Sequence, residues 1–218
     1  MSENQEKCRL YLITPPKFKL AVFAENLKQA FDGGDVACVQ LRMKEAKDDE
    51  VLRAAEILMP ICHDREAVFI INDRPDLAKA VGADGVHLGM DDCSVSEARR
   101  ILGNYASIGV SCYGSKDRAM VAGEEGADYV AFGQFYETKT KPPRGRPTPE
   151  ILEWWSTFTT VPCVAIGGIK PENCAPLVKA GADFIAVVTG VWEHPKGPKE
   201  SISEYNKAIN LAYNQRNC

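Results

Sequence analysis

The sequence predicts an α/β protein: a single (β/α)8 TIM barrel over residues 1–218, with a short polar extension at its N-terminus. Three observations lead there. Eight short apolar runs, most of them rich in Val and Ile, recur from one end of the chain to the other. Parallel strands covered on both faces have this composition. Segments with helical periodicity separate the runs. Gly-Ala-Asp recurs between a helix end and a strand start in "GADGVHLG", "GADYVAFG" and "GADFIAVV". A doubly wound open sheet also alternates strand with helix, but it rarely needs eight strands in 218 residues.

The elements follow in order. "RLYLIT" (9–14) is the first strand and "VACVQLR" (36–42) the second. The segment "DEVLRAAEILMPICH" carries an apolar stripe of Val51, Ala54, Ala55, Leu58 and Met59 on a helical period, and Pro60 is expected to end that helix. "AVFIIND" (67–73) and "GVHLG" (85–89) are the third and fourth strands. "SVSEARRILG" opens with Ser94 as N-cap and Glu97 in capping-box position. "SIGVSC" (107–112), "YVAFGQF" (129–135) and "PCVAIGG" (162–168) supply the next three strands. "KPENCAPLVKAG" reads as a helix from Pro171 to Gly181; Pro176 inside it favours a kink or a later start. "FIAVVTG" (184–190) is the eighth strand. Gly82, Gly126 and Gly181 suit the left-handed conformation that ends a helix.

Composition narrows the function. The chain is 45% hydrophobic, enough for one buried core. A net charge of -4 carries no basic footprint for nucleic acid. "MSENQEKCRL" lacks the apolar centre of a signal peptide, and no apolar run reaches membrane-spanning length. A cytoplasmic protein acting on small molecules is expected; a homo-oligomer is compatible with this. The eight cysteines form no CxxC pair, and His63, His87 and His194 make no metal-ligand spacing with them, so reduced thiols are expected.

Chemistry is expected where the strands end, because a barrel places its active site on that face. Asp73 closes the third strand and Asp92 follows the fourth. Adjacent loops can bring both carboxylates to one Mg2+, together with water and phosphate oxygens. The same residues also read as loop chemistry, with Asp73 capping the helix at Pro75 and Asp91 or Asp92 capping the next. On the second strand, alternation puts Gln40, Arg42 and Lys44 on one side. Two cations at one strand mouth repel each other unless an anion joins them. A pyrophosphate held by Arg42, Lys44 and a metal on Asp73 and Asp92 accounts for the set. Gly167-Gly168 and "VVTG" offer backbone N–H groups to a monophosphate, or simply form tight turns. The sixth loop, "GQFYETKTKPPRGRPTPE", places Thr138, Thr140 and Lys141 just after a strand, to order over a ligand or to face solvent. Ser111 ends the fifth strand, where a serine hydroxyl also serves a turn.

Taken together, "VQLRMK", "IINDRPDLA", "GADGVHLGMDD", "IGVSC", "GADYVAFGQFYETKTK", "VAIGGIKPENC" and "GADFIAVVTGV" resemble the thiamine phosphate synthase family over nearly the whole chain. The resemblance implies a Mg2+-dependent (β/α)8 transferase. Such enzymes join 4-amino-5-hydroxymethyl-2-methylpyrimidine diphosphate to a thiazole phosphate and release pyrophosphate. It further implies Gln40, Arg42, Lys44, Asn72 and Lys141 as diphosphate-substrate contacts and Asp73 and Asp92 as metal ligands. Ser111 would lie near the pyrimidine and its leaving group. Thr138 and Thr140 would contact the thiazole phosphate, and Gly168 with the turn around Thr189 would cradle it. Arg42, Lys44, Ser111 and Lys141 would carry the catalysis. The chain departs from the family pattern at Met90, Tyr113 and Gln134, where Gln, His and Pro are usual. A thiazole tautomerase-like enzyme and a non-catalytic phosphate-binding barrel are the alternatives that share the fold.

Overall fold

Eight parallel strands close on themselves in chain order, the first pairing with both the second and the eighth. The strands are β1 (Arg9–Ile13), β2 (Cys38–Leu41), β3 (Val68–Asn72), β4 (Gly85–Leu88), β5 (Ser107–Tyr113), β6 (Tyr129–Gly133), β7 (Cys163–Ile166) and β8 (Phe184–Val187). The intervening helices are α1 (Leu20–Phe31), α2 (Asp48–His63), α3 (Pro75–Val81), α4 (Val95–Leu102), α5 (Lys116–Glu124), α6 (Glu150–Phe158) and α7 (Ala175–Lys179). A short α8 (Thr189–Trp192) follows β8, and the long α9 (Pro198–Arg216) packs on α1, α7 and β1. The computed structural model describes residues 7–137 and 146–216, so Thr138, Thr140 and Lys141 lie outside the described residues. All eight predicted strands are present.

Alternation along the strands builds two cores. Leu10, Leu12, Val39, Leu41, Phe69, Ile71, Val86 and Leu88 point outward and join the helices in the larger core. Tyr11, Ile13, Cys38, Ile70, Tyr129, Ala131, Val164 and Ala186 fill the barrel itself. Among the described residues no helix is long and apolar enough to cross a membrane. The described cysteines are all free thiols, most of them buried.

Two helix boundaries differ from expectation. Pro60 does not end α2, which runs on to His63; the single missing N–H is tolerated because Val51, Ala54, Ala55, Leu58 and Cys62 bury the other face. The seventh helix does not begin at Pro171. It starts at Ala175, which puts Pro176 in its first turn, where the absent N–H has no partner to lose. Ser94 caps α4 as expected, accepting from the Glu97 N–H at 3.2 Å.

The repeated Gly-Ala-Asp is a clamp at the N-terminal ends of the strands. Gly82, Gly126 and Gly181 all have positive φ and reverse the chain after a helix. The next residue returns its N–H to the helix: Ala83 to Ala78 O, Ala127 to Ala122 O, and Ala182 to Leu177 O. The aspartate then grips one residue of the preceding strand at two points. Asp84, Asp128 and Asp183 donate their N–H groups to the carbonyls of Phe69, Ile108 and Cys163. Their Oδ2 atoms accept the N–H of those same residues, at 2.6, 2.7 and 2.7 Å. Arg99 reinforces the middle clamp through Asp128 at 2.6 Å and Ala106 O at 2.5 Å. Asp128→Ala is therefore expected to destabilise the fold by about 1–3 kcal/mol, because the Ile108 N–H loses its acceptor. In a chain of this length that lowers Tm by about 2–4 °C per kcal/mol. Asp128→Asn keeps an acceptor oxygen and should cost less. Thermal unfolding of the two variants beside wild type checks the ranking.

Candidate active site

A cavity of about 460 Å³ opens at the C-terminal ends of the strands, lined from the loops after nearly every strand. It brings together Arg42, Lys44, Asn72, Asp73, Asp92 and Ser111, and on the opposite wall Gly168 and Thr189. Gln40 lies beneath, 2% exposed, and donates its Nε2 to Asn72 Oδ1 at 2.6 Å.

The second strand delivers its cations by alternation carried past its end. Gln40 points inward, and Arg42 follows on the same side, its backbone N–H held by the buried Thr14 hydroxyl at 2.9 Å. Burial pushes the Arg42 guanidinium down from its ordinary value, and the neighbouring Asp73 carboxylate opposes this. Lys44 Nζ reaches Asp73 Oδ2 at 2.7 Å.

The two carboxylates are not helix caps. The N-cap of α3 is Arg74, with no side-chain cap, and that of α4 is Ser94. Asp73 instead sits at φ 66, a left-handed conformation uncommon for a residue with a Cβ, and its N–H donates to His87 O at 2.8 Å. That bond turns the chain so that the carboxylate faces the cavity. Asp92 Oδ2 accepts the Gly89 N–H at 2.6 Å. Burial first, and then the neighbouring Asp73 carboxyl, push the Asp92 carboxyl above the usual range. Two adjoining carboxyls favour positive charge beside them, and Lys44 already supplies one such charge at Asp73. Among the described residues no three His, Cys, Asp or Glu side chains gather at metal-binding range. A pair suffices for Mg2+, which binds one or two carboxylates and keeps waters and substrate oxygens for the rest. The donor set fits that ion.

The other wall is shaped by close approach. Gly167 and Gly168 have φ of 108° and 63°. A Cβ at Gly168 would overlap the backbone of Tyr136 and Glu137, so this turn lies against the start of the sixth loop. Asn173 ties the two together, donating to Gly168 O at 3.1 Å while its own carbonyl accepts the Tyr136 hydroxyl at 2.7 Å. On the opposite side Ser111 precedes a bulge in β5, after which Tyr113 also has positive φ (55°). Asp73 and Tyr113 are two of the three non-glycine residues with positive φ among those described, and both line the cavity. Backbone strain of this kind collects at functional sites.

Sequence reasoning did not single out His87, Tyr11, Tyr129 or Arg118. His87 lies in the barrel, its Nε2 at 2.9 Å from Ser111 Oγ and its Nδ1 at 3.1 Å from the Tyr129 hydroxyl. Arg118 holds the backbone below Ser111 and Gly89, at 2.8 and 3.2 Å. The alternation that turned Gln40 inward also applies to His87 and Tyr129 and is the signal that finds them.

A closed barrel with cations and carboxylates around one cavity at its strand ends defines a (β/α)8 enzyme built for an anionic ligand. The comparisons with known proteins are more particular. The profile of the thiamine monophosphate synthase family matches residues 10–191. The chain is 56% identical over 202 residues to the thiamine-phosphate synthase of Rhodospirillum centenum, covering 93% of this chain and 98% of that protein. It is 49% identical over 196 residues to that of Erythrobacter litoralis, covering 88% and 92%. The solved thiamine phosphate pyrophosphorylase of Pyrococcus furiosus superposes with a TM-score of 0.83 at 31% identity, over 95% of this chain and 98% of that one. The chain belongs to the thiamine monophosphate synthase family, whose members are transferases that form thiamine phosphate.

Proposed function

We propose that the protein joins 4-amino-5-hydroxymethyl-2-methylpyrimidine diphosphate to a thiazole phosphate in a Mg2+-dependent reaction that releases pyrophosphate. The observation that carries this reading is the meeting of Arg42, Lys44, Asp73 and Asp92 at one cavity mouth. In this reading Asp73 and Asp92 hold the ion, and Arg42, Lys44 and Asn72 hold the diphosphate. Ser111 faces the pyrimidine, and Gln40 supports Asn72 from beneath. The Gly168 turn and Thr189 cradle the thiazole phosphate. Lys141, Thr138 and Thr140 take the roles that the family resemblance gives them.

When bound, Mg2+ neutralises charge on the diphosphate oxygens. The residues supply the rest. The C–O bond to the diphosphate breaks with both electrons leaving on oxygen, where Arg42 and Lys44 stabilise the growing charge. The thiazole nitrogen already has its lone pair and forms the new C–N bond without a general base, so no Ser-His-Asp arrangement is needed. The Gly168 wall holds that nitrogen in line.

Purified protein incubated with Mg2+ and both substrates is expected to yield thiamine phosphate and pyrophosphate, detected by mass spectrometry. Chelation should stop the reaction and added Mg2+ restore it. A protein that makes no thiamine phosphate would refute the reading. Asp73→Asn should weaken the Mg2+-dependent component of pyrimidine diphosphate binding about tenfold, since a charged oxygen ligand becomes a neutral one. Calorimetric affinities that are equal with and without Mg2+, in wild type and variant alike, would speak against the metal site.

A further inference from the structure

Arg118 stands where the helix dipole disfavours a cation. Ser115 caps α5 and accepts the Arg118 N–H at 3.2 Å, so the arginine occupies the first turn, at the positive end of the helix. The contacts that offset this lie on the neighbouring strands. Its Nε donates to Ser111 O at 2.8 Å and its Nη2 to Gly89 O at 3.2 Å.

Those two carbonyls mark the place where β4 and β5 part. The ladder between the strands runs from Gly85 beside Ser107 to Leu88 beside Val110 and goes no further. Gly89 and Ser111 are the next residues, and β5 bulges just after Ser111. The guanidinium spans the gap that the backbone leaves open, with two donors fixed in one plane.

Gly89 has the greater need of this hold. A Cβ there would crowd the Asp92 carboxylate, and without a Cβ the backbone is free to turn. Its N–H donates to Asp92 Oδ2 at 2.6 Å, and its carbonyl accepts from Arg118. The residue is therefore gripped on both sides. Arg118 is not part of the lining of the strand-end cavity. It faces a second cavity of about 520 Å³, which Met90, Tyr113, Ser115 and Pro147 also line.

We infer that Arg118 is a positioning residue, which fixes the Gly89 backbone and, through the Gly89 N–H, sets the Asp92 carboxylate for the diphosphate and its ion. The use made of Asp92 rests on the proposed function; the hold on Gly89 and Asp92 rests on the hydrogen bonds.

Arg118→Ala removes both donors. In ligand-free protein the Gly89 amide proton should then move upfield in NMR spectra, as its bond to Asp92 loosens, and exchange about tenfold faster. The Ile108 N–H, held by Asp128 at the other end of β5, should keep its rate, which general loosening of the fold would not allow. Calorimetric affinity for the pyrimidine diphosphate with Mg2+ should fall about tenfold, the low end for a group that supports a metal ligand. KM for the thiazole phosphate, on the Gly168 wall, should not change. Ethylguanidinium can enter through the second cavity and should restore both the Gly89 signal and the affinity, where ethylammonium should not. Arg118→Lys keeps the charge without the planar pair of donors, and it carries the test if the alanine variant does not fold. It should show the same faster exchange and weaker binding. A lysine variant equal to wild type in both would overturn the inference, since charge alone would then suffice. So would wild-type Gly89 exchange in Arg118→Ala, or faster exchange with unchanged diphosphate affinity. A wild type that neither binds the pyrimidine diphosphate nor forms thiamine phosphate, while Arg118→Ala still frees Gly89, would overturn the functional reading and leave the hold on Asp92 standing.

Discussion

Replacing Arg42 with methionine is expected to lower kcat/KM for the pyrimidine diphosphate by about 10²–10³-fold, the loss that follows removal of one preorganised donor at a developing anion. Arg42 is the better placed of the two cations. It is half-buried, and burial disfavours its charge. A desolvated guanidinium interacts with an incoming anion more strongly than a solvated one. Lys44 is more exposed and already engaged with Asp73 at 2.7 Å, so its removal should cost less. Methionine preserves most of the length and the apolar stem, and the Thr14 hydroxyl still holds the backbone N–H of residue 42. The fold should therefore survive, and a Tm near that of wild type is the control. Steady-state kinetics with each substrate varied in turn then separates the effects. The loss should fall on the pyrimidine diphosphate side, with KM for the thiazole phosphate little changed. If kcat/KM stays within about threefold of wild type, Arg42 is not the main electrostatic contact.

The strands were legible because each is covered on both faces, which leaves a continuous apolar signature over four or five residues. The carboxylates were legible for a topological reason: in a barrel every strand end reaches the same face, so Asp73 and Asp92 meet whatever the details of their loops. What the sequence left ambiguous was their local role. Capping and metal binding demand the same residue type at nearly the same place, and only the positive φ of Asp73 and the Ser94 cap separate them. Pro60 shows the converse, a local breaker overridden because the helix around it buries five side chains. The hydrogen bonds inside the barrel were hidden for another reason. Tyr11 and Tyr129 meet across 118 positions of sequence, and nothing local to either predicts the other. Each reads alone as an aromatic in an apolar run. Their contact depends on the closure of the barrel and on Gly109 having no side chain where the Tyr129 ring lies. The Gly-Ala-Asp repeat was visible as a pattern, but its work became clear only with the register, which sets each aspartate beside the first residues of the preceding strand.

The timing of bond breaking at the pyrimidine can be tested with an altered substrate, and the expected effect matches the upper end of that expected for Arg42. An electron-withdrawing group on the pyrimidine ring should slow the chemical step strongly, yet leave binding nearly intact if, as proposed, the diphosphate and the metal carry most of the attraction. If the diphosphate departs well ahead of attack by the thiazole nitrogen, the exocyclic carbon passes through a positively charged state, which the ring amino group stabilises by donating electrons. A substituent that destabilises this cation by about 4 kcal/mol slows the step about 10³-fold. The site is suited to such a path. Arg42 and Lys44 line the cavity mouth where the proposed diphosphate would depart, and among the described residues the cavity lining holds no Cys-His or Ser-His-Asp unit that would instead activate a nucleophile. Ser111 touches His87, whose other ring nitrogen lies 3.1 Å from the Tyr129 hydroxyl. Single-turnover rates measured with saturating enzyme isolate the chemical step from product release. A steep fall with the electron demand of the substituent, at nearly constant affinity, is the expected result. Rates that do not respond, with chemistry shown to limit turnover, would mean that the nitrogen attacks as the diphosphate leaves. In that case the alignment imposed by the Gly168 wall, and not charge stabilisation at Arg42, would dominate the acceleration.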